Sequence, residues 1–233
     1  MNNQLIQKIK DHALQEMPRE CCGLLVMVKR KLKYFPCRNI AEGHEHFVIH
    51  PEDYAAAEDA GTITTIVHSH PTTPPIASQA DRVGIEQTGL PWFIINPNAD
   101  VYQVFEPTGY EPAYIGREFV HGILDCYSLI RDYYKRELAI DLHNYQRPDN
   151  WWLKGQNLYL DRFEEQGFEI VEDLQLHDLI LMQVGSPVPN HGAIYLGNNQ
   201  ILHHVLGRYS CRDIYGGYWQ KITTHTLRHQ SQR

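Results

Sequence analysis

Val67-His68-Ser69-His70-Pro71 is followed by Ser78-Gln79-Ala80-Asp81. On an extended strand, residues two apart point to one face about 6.6 Å from each other along the chain. His68 and His70 can therefore converge on one ion. Asp81 falls in the first turn of a following helix, from which its carboxylate can turn back as a third ligand. Two imidazoles and one carboxylate leave a fourth position open, which is the donor set of a catalytic zinc site, not of a closed structural one. Zinc held this way acidifies water toward neutrality, and a base is still needed. Glu20, in Pro18-Arg19-Glu20-Cys21-Cys22-Gly23, can supply it. Each piece alone is ordinary: His-x-His is common, and Ser78-x-x-Asp81 is also a capping box. Their conjunction is what carries information.

A second constellation centres on Cys126, which follows Asp125 at the expected start of a helix. The positive end of a helix dipole lowers a thiol pKa, and a histidine partner completes the activation of the nucleophile. His191 begins an apolar run through Leu196. After Gly197-Asn198-Asn199 the next run carries His203 and His204. A three-residue turn sets Leu196 against Gln200 and Ala193 against His203, so that His191 and His203 share a face as diagonal neighbours. Asn199 would then take the left-handed conformation. A two-residue turn favours His204 instead. The chain has five cysteines, an odd count, and their spacings fit neither a disulfide framework nor a CxxC pair. Cys21, Cys22, Cys37 and Cys211 are read as free, inert thiols.

Elements must hold these groups. Apolar residues from Leu5 to Met17 recur at helical spacing, and Pro18 ends that helix. Strands are expected at 22–29, 32–37, 62–70, 92–95 and 101–105, with helices at 51–60 and 78–88. Residues 106–117 carry linker punctuation. Beyond them a helix capped by Asp125 carries Leu129, Ile130, Tyr133, Tyr134 and Leu138, another is expected near 156–166, and strands follow at 178–184, 191–196 and 200–206. The order predicts an α+β protein of two domains, 1–110 and 111–233.

A hydrophobic fraction of 42% and a charged fraction of 21% are those of a globular chain. The net charge of -7 argues against a nucleic-acid-binding surface, leaving only a local basic patch of Arg208, Arg212, Lys221, Arg228 and Arg233. No apolar run has the ~18 residues of a membrane span, and no secretion signal is recognised, so folding in a cytoplasm is expected. His44, His46 and His50 are read as solvated surface, and Trp151 and Trp152 as packing residues.

Glu20, His68-Ser69-His70, seven intervening residues, Ser78 and Asp81 resemble the signature of JAMM (MPN-type) metalloproteases. The resemblance implies an α/β domain with a mixed sheet, zinc on His68, His70 and Asp81, Glu20 as general acid/base, and Ser78 as hydrogen-bond donor to the oxyanion. Asp125-Cys126, Asp178-Leu179-Ile180, His191 through Gly197 and His203 resemble the NlpC-type cysteine peptidases. That implies a papain-like α+β core with Cys126 as nucleophile, His191 as base and His203 orienting the base, acting on peptidoglycan stem peptides. The chain departs from that family after the nucleophile, with Tyr127-Ser128 in place of Ser-Gly. The two in one chain are similar to a family of siphophage tail tip assembly proteins. That likeness extends through Tyr34-Phe35-Pro36-Cys37, Leu90-Pro91-Trp92, Glu118 to Gly122, Trp151-Trp152, Gly155 to Asp161 and Val188 to His191. It implies other tail tip proteins as partners, a peptidoglycan peptide or a protein as substrate, and residence in the host cytoplasm during assembly and at the virion tail tip. The alternatives are a structural tail-tip module with vestigial sites and a non-viral cell-wall peptidase.

Overall fold

A computed structural model describes residues 2–42 and 46–232. His44 and Arg233, singled out above, lie outside them. The chain divides into two compact units, Met1–Glu111 and Pro112–Arg233.

The first unit begins with α1 (Asn3–Glu16), whose N-cap Asn2 accepts from the Leu5 N–H. Strands β1 (Cys22–Val28) and β2 (Lys31–Cys37) form a hairpin. Helix α2 (Pro51–Ala60), β3 (Thr62–Ser69), α3 (Gln79–Thr88), β4 (Trp92–Asn96) and β5 (Val101–Phe105) follow. The sheet runs β2-β1-β3-β4-β5, with β3 and β4 parallel and the other pairs antiparallel. Alternation sorts its two faces. Cys21, Leu25, Val67, Phe93 and Ile95 pack on Leu5, Ile9 and Ala13 of α1. Cys22, Leu24, Val26, Ile66 and Trp92 pack on Ala57 of α2 and Ile85 of α3. His68 and His70, in phase with Ile66, therefore face α3.

The second unit opens with α4 (Cys126–Leu138), which ends at Ala139 in the left-handed conformation. Its strands are β6 (Phe168–Ile170), β7 (Leu179–Met182), β8 (His191–Tyr195), β9 (Gln200–His203), β10 (Cys211–Ile214) and β11 (Thr223–His229), with the short helix α5 (Tyr218–Lys221) before the last. They form a sheet ordered β10-β9-β8-β7-β11-β6, antiparallel throughout. Leu129, Ile130, Tyr133 and Tyr134 of α4 bury one face together with Leu179, Leu181, Ile194, Leu202 and Leu227. Ile180, Met182, Ala193 and Ile201 face the other way, against Trp219 and Ile222. The α+β architecture is as the sequence implies.

The helix expected near 156–166 does not form. Residues 158–167 make a succession of turns. Asp161 N bonds Asn157 O at 2.9 Å and Phe168 N bonds Phe163 O at 3.0 Å, but no regular ladder develops. Tertiary demand overrides propensity here, because the Tyr159 hydroxyl reaches the Cys126 sulfur while Leu158, Phe163 and Gln166 turn into a common cavity. Strands β6, β10 and β11 escaped the sequence reading.

Candidate active centres

In the first unit, β3 carries His68 near its C-terminal end with His70 directly after it, and α3 begins with Ser78 as N-cap. A capping box closes that start: Asp81 N donates to Ser78 Oγ at 3.1 Å, and Ser78 N donates to Asp81 Oδ2 at 2.7 Å. The box turns the Asp81 carboxylate back onto both rings, 3.3 Å from His68 Nε2 and 3.4 Å from His70 Nε2, while the two Nε2 atoms lie 3.1 Å apart. All three residues are buried. The imidazoles hold Asp81 well below the usual carboxylate range in spite of its burial.

Those edges fit one small cation. Tetrahedral ligands roughly 2.0–2.1 Å from zinc lie about 3.3 Å from one another. His70 Nδ1 pairs with the Pro74 carbonyl at 3.0 Å, which keeps that nitrogen protonated and turns the Nε2 lone pair toward the common point. The His68 ring is fixed by stacking on Phe47, with centroids 4.8 Å apart, and by the edge of Trp92 at 5.4 Å. Its Nδ1 is buried without a partner among the described residues. Sequence reasoning missed Phe47 and Pro74, for which no periodicity or motif offered a signal.

Glu20 reaches this centre through strand register. Cys22 pairs with His68 and Ser69 N donates to Cys21 O, so the same register sets Glu20 opposite His70 on the α3 face. It is 8% exposed, and its charge favours the protonated form of His70. Asn39 fixes its backbone by donating to Glu20 O at 3.0 Å and to His46 O at 3.2 Å. Ser78 lies exposed at the mouth of the centre.

In the second unit, Asp125 caps α4 by accepting from Ser128 N at 2.8 Å, leaving Cys126 as the first helical residue. The Asp125 carboxylate is buried against Arg147 at 2.7 Å, which holds it at a pKa of about 2 despite its burial. The Cys126 sulfur lies 3.3 Å from the Tyr159 hydroxyl and accepts from the Gly192 N–H. Burial and the Asp125 charge push its thiol pKa up, against the lowering effect of those two donors. The helix-start position alone therefore does not make a standing thiolate.

The strand histidines meet as the three-residue turn requires. Gly197, Asn198 and Asn199 all have positive φ, of 78°, 51° and 55°. Leu196 N donates to Gln200 O at 2.8 Å, and Ala193 pairs with His203. His191 Nε2 and His203 Nδ1 are then 3.2 Å apart. Burial holds His191 down to about 3 and His203 to about 4, so both rings are neutral at pH 7. His204 takes the opposite face, edge-on to Phe119 at 5.0 Å. The sulfur touches the backbone of the residue next to His191, but among the described residues no thiol–imidazole hydrogen bond is made. Tyr159 and Asp213 were not foreseen as neighbours of this centre. Tyr159 sits in an irregular segment and Asp213 on an unpredicted strand, so neither carried a positional signal.

The comparisons divide the chain in the same places. Residues 2–107 match the family of prokaryotic homologs of the JAB domain, and residues 116–228 match the NlpC/P60 family. The chain is 42% identical over 238 aligned positions to tail tip assembly protein K of Escherichia phage N15, covering all of this chain and 97% of that one. It is 40% identical to tail tip assembly protein K of Escherichia phage lambda, over 78% of this chain and 90% of the other. The solved structure of protein DSY2949 from Desulfitobacterium hafniense is 27% identical over 45% of this chain and 81% of that one, with a TM-score of 0.38.

Proposed function

The chain belongs to the family of phage tail tip assembly proteins K, and from that premise we propose that it is a peptidase with two chemically independent centres. The thiol centre cleaves stem peptides of peptidoglycan, and the metal centre cleaves a protein of the tail. The observation that carries the proposal is the triangle of His68, His70 and Asp81, whose donor atoms lie within 4.8 Å of one another beside Glu20. A structural role in a tail does not call for such a triangle.

At the first centre His68 Nε2, His70 Nε2 and the Asp81 carboxylate would hold zinc, which would supply Lewis acidity and acidify a water toward neutrality. Glu20, set opposite His70, is the group that would serve as general base and then as general acid toward the leaving amine. The exposed Ser78 hydroxyl, whose oxygen already accepts from Asp81 N, still has its own hydrogen to donate to the oxyanion.

At the second centre Cys126 is the nucleophile. Its raised pKa means that the proton leaves as the sulfur attacks, so a neutral base is required. His191 is neutral, and with Nε2 engaged by His203 it has Nδ1 left for the thiol. The Cys126 N–H, in the first turn of α4, is one of the helix donors without an intrahelical partner and suits an oxyanion.

Assembly with other tail tip proteins in the host cytoplasm and residence at the tail tip would carry the thiol centre to the wall without secretion. Metal analysis combined with a peptidoglycan digest, on wild type and on Cys126→Ala and His70→Ala, tests the scheme. Undiminished wall cleavage by Cys126→Ala, or full zinc occupancy in His70→Ala, ends the corresponding assignment. The missing thiol–imidazole hydrogen bond favours a second reading, a tail module with a relic thiol site. Normal tail assembly by a variant disabled at both centres, with no hydrolysis by wild type, would support it.

A further inference from the structure

We infer that Asp213 is a positioning residue of the thiol centre, whose carboxylate dictates which nitrogen of His203, and through it of His191, carries the proton. The inference rests on the thiol reading above. His203 Nδ1 faces His191 Nε2 at 3.2 Å. Its other nitrogen, Nε2, is fully buried and makes no hydrogen bond among the described residues. The acidic group paired with it is the Asp213 carboxylate, with Oδ2 at 3.8 Å.

That carboxylate is aimed. In the β9–β10 ladder Cys211 pairs with His203 and Asp213 with Ile201, so Asp213 stands two residues along on the face that His203 occupies. The Trp219 indole N–H donates to Oδ2 at 3.0 Å and the Ile214 N–H to Oδ1 at 2.8 Å. The Trp219 ring also stands edge-on to His203, with centroids 4.6 Å apart and planes at 87°. One indole thus holds both the ring and its acid.

The proton positions follow from charge. A carboxylate facing a buried Nε2 favours the tautomer with hydrogen there. His203 Nδ1 then has a lone pair and accepts from His191 Nε2–H. His191 Nδ1 is left with the lone pair that a base needs. The other tautomer turns a lone pair toward the carboxylate, puts hydrogen on His203 Nδ1, and forces the His191 proton onto Nδ1, where it blocks the base. Asp213 and Arg208 act on His203, and His203 and His204 act on His191. Of these groups Asp213 alone is anionic. During attack the Cys126 proton moves to His191 Nδ1 and from there to the leaving amine. His203 keeps its Nε2 proton, Asp213 stays ionised, and together they stabilise the transient imidazolium.

The test uses the full chain labelled with 15N at histidine. At neutral pH His203 is expected as the Nε2–H tautomer. In Asp213→Asn, whose amide can also donate, the expected result is a mixed or reversed tautomer. Alkylation of Cys126 by iodoacetamide, read on its own peptide by mass, should slow on the order of ten- to a hundred-fold, with KM for a stem peptide unchanged and kcat reduced. Asp213→Glu should restore the tautomer. Trp219→Phe, which frees the carboxylate without removing the ring, should mimic Asp213→Asn in part. Nδ1–H on His203 in wild type, or Asp213→Asn with both tautomer and alkylation rate unaltered, overturns the inference. The tautomer is read without substrate, so a failure of Cys126→Ala to lose hydrolysis would sink the thiol reading separately.

Discussion

His191 Nε2 and His203 Nδ1 lie 3.2 Å apart although twelve positions separate them in the chain. A turn of three left-handed residues sets that approach. One residue fewer in the turn would carry His203 to the α4 face and bring His204 in its place. Register is thus the device by which this sheet selects a histidine.

The two centres should respond independently to substitution. Cys126→Ala is expected to abolish stem-peptide cleavage with zinc content unchanged. His70→Ala is expected to lose zinc, since one of three protein donors goes, with Cys126 alkylation at the wild-type rate. Atomic absorption and a peptidoglycan digest on the same preparations check both.

Acid should weaken the second unit before its carboxylates titrate. His191, His203 and His204 are all depressed, to about 3, 4 and 4 from an unfolded value of 6.5. Between about pH 6.5 and 4 the unfolded chain binds more protons than the folded one, so stability rises with pH across that window. It is full above 6.5 and is lost on descent toward 4. Asp125, lowered from 3.8 to about 2, contributes only below that. The urea midpoint of residues 112–233, followed by hydrogen exchange, should fall through this window. A flat midpoint would show that these rings titrate alike in the folded and unfolded chain.

Metal should stabilise the first unit by mass action. Zinc at a hundred times its dissociation constant adds about 2.7 kcal/mol. Chelator should reverse the gain, and His68→Ala should remove it. A thermal midpoint indifferent to zinc and to chelator would deny a folded-state site.

Ser78→Ala should do two things at once. Loss of the cap costs about 1 kcal/mol of stability, and zinc affinity should weaken as Asp81 loses part of its anchorage. Ser78→Asp, which restores a cap without a hydroxyl donor, should recover stability but not protein hydrolysis.

Gly192→Ala should strike the thiol centre from the backbone side. A Cβ there would stand 2.7 Å from Ile130 Cδ1 and 3.1 Å from the Tyr159 hydroxyl. The expected result is a lower melting temperature with a changed Cys126 alkylation rate.

Much of this was legible in sequence because the first centre is local. His68 lies near the end of β3 and His70 directly follows that strand, and Asp81 opens the next helix, so period-two alternation and a capping box suffice to converge them. Glu20 was offered by the sequence only as an available base; its place beside the centre depends on the β1–β3 pairing, which is a long-range fact. In the second unit Gly197, Asn198 and Asn199 left a three-residue and a two-residue turn both open, and the chain makes the three-residue one. The partners of the sulfur were not foretold, because Tyr159 arrives from turns that follow no period. Strand β10, Cys-Arg-Asp-Ile, is too short and too polar to announce itself, and Asp213 was hidden with it.

The carboxylate of Asp81 also ties two fates together. The opening turn of a helix is the segment that frays first on warming, and here that turn presents a donor of the metal triangle. Loosening of a few residues near Ser78 would spill the ion while the five strands behind it were still intact. Heat inactivation of the metal centre should then run ahead of melting, and a capping mutation would set the protein's working lifetime without touching its fold.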